Sequence, residues 1–117
     1  MPPVAILDPV EINAGQWYLR ALRADRRIDD RSALAELGIT DPDYVARCAA
    51  QWSADAGYSW AVCEVTTGEL LAEVTLDPET GEIATRARAG RTEAATAAAE
   101  SVRRFAAAIA VPTRDLG

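Results

Sequence analysis

The sequence predicts an α+β fold: an antiparallel meander sheet with helices on both faces, in the order β-α-α-β-β-β-α. Three observations carry this. Residues 59 to 88 hold three strand-type segments separated by two turns that each contain a glycine. Apolar residues recur at helical spacing after Thr40-Asp41-Pro42 and again after Thr92. The 117 residues are 50% apolar and 26% charged, which suits one folded domain spanning 1–117.

Residues 1–14 carry three of the six prolines, so this arm is expected to be extended and edge-like at best. From Gln16 to Leu22, Trp17, Leu19 and Ala21 alternate with Gln16, Tyr18 and Arg20, the pattern of a half-buried strand. Asp29 or Asp30 can cap a short helix from Arg31 to Leu37, and Gly38 closes it. Thr40-Asp41-Pro42 opens a second helix, with proline expected at its first position. Val45, Cys48, Ala49, Trp52 and Ala56 form its apolar stripe, and Gly57 stands where a left-handed C-cap is expected.

Ser59 to Val65 is apolar on both alternating faces, as in a strand covered on two sides. Thr66-Thr67-Gly68-Glu69 turns it into Leu70 to Leu76, and Asp77 to Gly81 leads into a weaker strand, Glu82 to Arg88. Between Ala84 and Ala110 the composition shifts, with 12 alanines among 27 residues. Thr92 is the expected cap of a helix whose stripe is Ala98, Val102, Phe105 and Ile109, with Glu100 and Arg104 as an i,i+4 pair and Pro112 as its stop.

The net charge of -6 repels phosphate backbones and anionic membrane surfaces, so neither nucleic acid nor membrane is an expected partner. The longest apolar run, Phe105 to Val111, falls far short of the roughly 20 residues of a bilayer-spanning helix. No histidine is present, which removes Ser-His and Cys-His dyads and the usual zinc sites, and no metal is expected. Cys48 and Cys63 form no C-x-x-C motif and read as reduced core residues. The N-terminus lacks the basic and long apolar regions of a secretory signal, and the expected location is the cytoplasm.

Three stretches bear on function: Trp17 to Arg23, Asp29 to Leu34, and the hairpin of Trp60-Ala61-Val62-Cys63-Glu64 with Thr67-Gly68-Glu69-Leu70-Leu71-Ala72-Glu73-Val74. In order and spacing they resemble the N-terminal part of GNAT-type N-acetyltransferases, especially the branch similar to ribosomal-protein alanine acetyltransferases. The resemblance implies acetyl-CoA as cosubstrate and an amine-bearing protein or small molecule as acceptor. In that family the last meander strand ends in a Q/R-x-x-G-x-G/A loop that holds the pyrophosphate on backbone N–H groups and a helix N-terminus. Here Arg86, Arg88, Gly90, Arg91 and Thr92 are the implied cofactor-binding residues, but no register restores the glycine pattern. Starting at Arg88, the glycine positions hold Arg91 and Glu93. A solvated arginine-bearing turn is the competing reading.

The family fold continues with another strand, a helix and two more strands, so the resemblance implies a shortened domain. Alternatively, the composition shift after Ile83 marks an altered reading frame or gene end. Either way the strand Glu82 to Arg88 is expected to be an exposed edge, open to a partner or a homodimer. The rival to an enzyme is therefore an inactive remnant acting as an interaction module.

Acyl transfer to an amine needs a proton acceptor and an oxyanion donor. Glu82 resembles the acidic position that some family members use as base, with Glu64 and Glu73 on neighbouring strands; each could equally be a solvated or hairpin-paired carboxylate. The oxyanion donor would be a backbone N–H near Thr85 to Ala87. Trp17, Trp52 and Trp60 suit core packing better than an acceptor pocket, and the charged run Arg20 to Arg31 reads as a solvated linker.

Overall fold

The computed structural model describes residues 9–109 together with the backbone of residues 114–115. Six strands, β1 (Ile12–Ala14), β2 (Trp17–Arg20), β3 (Tyr58–Glu64), β4 (Leu70–Leu76), β5 (Glu82–Ala87) and β6 (Arg114–Asp115), form one sheet in chain order. Three helices accompany them: α1 (Arg31–Glu36), α2 (Tyr44–Ser53) and α3 (Thr92–Ala108). Strands β1 to β5 pair antiparallel, and β6 pairs parallel to β5.

The predicted order is thus present, with one strand added at each end. The proline-rich arm closes a hairpin on β2, Ala14 pairing with Trp17, because Gly15 adopts φ 69 and permits a two-residue turn. The Trp60 indole fixes the arm further by donating to Val10 O at 2.7 Å. At the other edge, Arg114 and Asp115 pair with Glu82 and Ile83. The start of β5 is therefore covered rather than exposed as expected, while Ala84 to Ala87 have no partner on that side among the described residues.

The cross-strand register assigns every side chain to a face. Trp60, Val74 and Thr85 lie in one row, and Tyr58, Leu76 and Ile83 in another, on the face covered by α3. Val62, Ala72, Ala94, Ala95, Ala98, Val102 and Ala106 complete this core, the small alanines letting α3 lie close on the strands. Phe105 joins Trp52, Tyr58 and Trp60 in an aromatic cluster, with Trp52–Tyr58 centroids 4.6 Å apart and Trp60–Phe105 5.4 Å. The opposite face buries Ala61 and Cys63 against Leu22, Leu34, Ile39, Val45 and Cys48 from the α1 and α2 side. Helices cover both faces.

Local punctuation differs in places. Gly38 ends α1 at φ 88 as expected, but α2 starts at Tyr44, because Asp41 accepts N–H groups of a preceding turn. Its left-handed residue is Asp55, φ 54, not Gly57, and Ala49 and Ala56 of the expected stripe are exposed. Arg104 bonds Ser101 Oγ at 3.1 Å. Pro112 lies outside the described residues.

The run Arg20 to Arg31 is not a solvated linker throughout, since Arg20 and Asp30 are buried. Arg20 Nη1 and Nη2 donate to the two carboxylate oxygens of Asp30 at 2.8 and 2.9 Å, and both residues are buried. Asp30 precedes α1 but caps none of its N–H groups, its carboxylate being taken by Arg20 and by the Arg23 N–H, whereas Asp29, the other expected cap, accepts the Arg31 N–H on Oδ1 at 3.0 Å.

Candidate functional site

A cleft of about 310 Å³ opens on the α2 face, where the chain leaves β4 and enters β5. Its floor is a cross-strand row, Ser59 beside Thr75 beside Ala84, and Tyr44, Cys48 and Gln51 of α2 form its roof. Glu82 stands at one end, half-buried, its carbonyl accepting from the Asp77 N–H at 2.9 Å and its N–H donating to Thr80 Oγ1 at 3.2 Å. The β4–β5 turn thereby fixes the backbone that carries this carboxylate.

At the other end the next row is Ala61, Glu73 and Arg86. Glu73 is only 2% exposed and accepts a hydrogen bond on Oε2 from the Tyr44 hydroxyl. Burial pushes its pKa up, opposed by the Tyr44 donor and by Arg86. Burial and the Glu73 carboxylate both push the Tyr44 phenol up, so it stays protonated near neutrality. Ser59 Oγ lies beside the Cys48 thiol, is itself buried, and completes no hydrogen bond. Burial raises the Cys48 pKa and pushes Cys63 up to about 11, so both are small buried thiols rather than nucleophiles.

Of the residues implied for cofactor binding, Arg86 is exposed opposite Glu73. Arg88 is committed elsewhere. Its guanidinium pairs with Glu36 and lies 3.5 Å from Glu69, tying α1 and the β3–β4 turn to the end of β5. Gly90, at φ 78, and the Arg91 N–H to Arg88 O bond of 2.9 Å turn the chain into α3. No side chain caps that helix: Arg91 is its N-cap residue, and the expected cap, Thr92, lies inside, its carbonyl accepting from the Thr96 hydroxyl at 3.0 Å. An uncapped helix N-terminus flanked by an exposed arginine fits a phosphate group, and Glu93 in the same turn opposes it. Gly90, Arg91 and Thr92, three of the residues expected at the cofactor, lie together at this junction.

Glu64 accepts the hydroxyls of Thr66 and Thr67 at 3.3 and 3.1 Å and serves the turn. Trp52 and Trp60 are core residues, and Trp17 is half-buried against the α3-face core. Tyr44 and Ser59 were not legible as site residues: Tyr44 sits beside the apolar stripe of α2, and only the register of β3 on β4 brings Glu73 beneath it.

No known protein-family profile and no curated protein match the chain. Among solved structures it is similar to a Vibrio cholerae protein provisionally described as a ribosomal-protein-serine acetyltransferase, with TM-score 0.65 and 13% identity over 87% of this chain and 70% of the other. At that identity the likeness speaks for architecture. The chain has a mixed α/β fold that matches part of the GNAT-type acetyltransferase fold.

Proposed function

We propose that the protein is an N-acetyltransferase that moves acetyl from acetyl-CoA to an amine of a protein or small molecule. The observation carrying this reading is that one strand leads from one required part to the other: Glu82 opens β5 in the cleft, and the turn after Ala87 carries the chain to the uncapped α3 N-terminus at Thr92. In this reading Gly90, Arg91 and Thr92 hold the pyrophosphate. Backbone N–H groups near Thr85 to Ala87 face the acyl oxygen. Glu82 receives the ammonium of the acceptor and takes its first proton, leaving the lone pair free to attack.

The test is calorimetric titration with acetyl-CoA, followed by an acceptor screen. Saturable binding raises apparent stability by about 2.7 kcal/mol at a hundredfold excess over Kd. Arg91→Ala weakens binding, and Glu82→Gln abolishes transfer while preserving it. No shift at millimolar acetyl-CoA overturns the reading.

One observation favours a second reading, an inactive interaction module: the outer side of β5 from Ala84 to Ala87 has no strand partner among the described residues. Light scattering that shows a dimer disrupted by Thr85→Pro, together with no cofactor binding, would select it.

A further inference from the structure

We propose that Tyr44 and Glu73 form a proton relay at the inner end of the cleft, which takes the proton that the attacking nitrogen sheds after it has bonded to the acyl carbon. This rests on the acetyltransferase reading above. Acylation of an ammonium releases two protons from nitrogen, one before attack and one after, and the two are needed at different places. Glu82 meets the first at the cleft mouth. It lies four residues upstream of Arg86 on the same strand, about 13 Å at the usual strand rise. The register puts Glu73, not Glu82, directly across from Arg86, in the middle of the segment Thr85 to Ala87 whose N–H groups would face the acyl oxygen.

Glu73 does not line the cleft itself, but Tyr44 does, and its hydroxyl is bonded to Glu73 Oε2. Tyr44 is therefore the catalytic residue, and Glu73 a positioning residue that acts through it. The step balances. The C–N bond forms and leaves a positive nitrogen; its proton passes to the Tyr44 oxygen as the Tyr44 hydroxyl proton passes to Glu73 Oε2. The C–S bond then breaks, the thiolate leaves with the electron pair, and the proton on Glu73 returns through Tyr44 to solvent. Burying a carboxylate with one hydroxyl donor costs stability, and burial makes it a stronger base than an exposed glutamate. The other titratable groups facing it are Arg86 on β5 and Cys48 on α2. The β3 neighbour is Ala61, which brings none.

The experiment combines carbon-13 NMR of labelled Glu and Tyr in the whole chain with transfer from acetyl-CoA to n-butylamine. The Glu73 carboxyl is expected to titrate above the ordinary glutamate range, with the Tyr44 ring carbon moving in the same transition. Tyr44→Phe removes a donor to the carboxylate and raises that transition further. Both Tyr44→Phe and Glu73→Gln lower kcat about 100-fold or more with KM little changed, in the range of lost acid–base catalysis, and erase the rising limb of the pH–rate profile. Independent titrations of the two groups, or a Tyr44→Phe enzyme within twofold of wild-type kcat and with an unmoved pH profile, overturn the relay. Calorimetry separates the two failures: absent acetyl-CoA binding overturns the acetyltransferase reading and the relay's catalytic role together, whereas binding with transfer insensitive to both substitutions overturns the relay alone. If Glu73→Gln fails to fold, Tyr44→Phe decides.

Discussion

Arg20 and Asp30 meet as a buried, two-pronged ion pair, Nη1–Oδ2 at 2.8 Å and Nη2–Oδ1 at 2.9 Å, which joins the end of β2 to the start of α1. Donating to the Asp30 carboxylate pushes the Arg20 pKa up against the desolvation that lowers it. The pair closes a charged loop whose backbone adds the Asp30 N–H to Arg23 O bond at 2.7 Å.

Removing one partner strands the other charge. Asp30→Ala is expected to cost about 3–5 kcal/mol in urea unfolding, since the guanidinium stays buried without its carboxylate partner. The double variant Arg20→Met/Asp30→Leu recovers most of the loss. A cost below about 1 kcal/mol for Asp30→Ala would show that the loop opens and rehydrates Arg20.

The aromatic cluster should dominate core stability. Trp60 is fully buried, contacts Trp52 edge-on at 5.2 Å, and anchors the N-terminal arm through Val10. Trp60→Ala is expected to destabilise by about 3–5 kcal/mol. Trp60→Phe keeps most of the packing but loses the indole donor, so it should free β1 selectively. Hydrogen exchange at Ile12 to Ala14 reads that difference.

What was legible in the sequence was the structure written locally. The apolar run of β3, the glycines at positions 38, 68 and 81, and the alanine-rich stripe of α3 each act within one turn or one strand of their own position. What was not legible depended on partners far along the chain. Asp30 reads as a helix cap until Arg20 takes its carboxylate, and Glu73 reads as one more strand glutamate until α2 lays Tyr44 over it. The last strand needs Arg114 to return beside Glu82, and nothing in its two residues announces that. Of the candidate site, the sequence suggests Glu82 and the β5–α3 junction from local pattern, whereas the ion pairs that hold Arg88 to Glu36 and Glu69 depend on α1 and the β3–β4 turn and leave no local signal.

Stability should respond to pH through two opposed sets of carboxylates. Glu73 has a raised folded-state pKa, so between the ordinary glutamate value of 4.5 and that higher value the folded state binds one more proton than the unfolded chain. Stability then falls as pH rises through this window. Asp25 and Asp29 sit at about 2, held down chiefly by Arg23 and Arg31, so their contribution is present above the ordinary 3.8 and is lost as pH falls toward 2. Glu73→Gln is expected to flatten the fall above pH 4.5 and leave the acid limb unchanged, as read by urea midpoints across pH.

The β5–α3 junction offers a separation of folding from binding. Gly90 has φ 78 with nothing within 4 Å of where a Cβ would stand, so Gly90→Ala meets backbone strain without a clash and should cost about 1–2 kcal/mol. Arg88→Ala releases its ion pairs with Glu36 and Glu69 in a partly exposed setting and should cost about 1 kcal/mol or less. The Arg91 side chain is exposed and makes no capping bond, so Arg91→Ala should leave stability within about 0.5 kcal/mol of wild type. For acetyl-CoA the expected order is different: Arg91→Ala weakens binding most, Gly90→Ala weakens it by reorienting the first N–H groups of α3, and Arg88→Ala leaves it nearly intact. If Arg88→Ala abolishes binding at unchanged stability, then the guanidinium leaves Glu36 and Glu69 to meet the ligand, and the pyrophosphate is assigned to the wrong arginine.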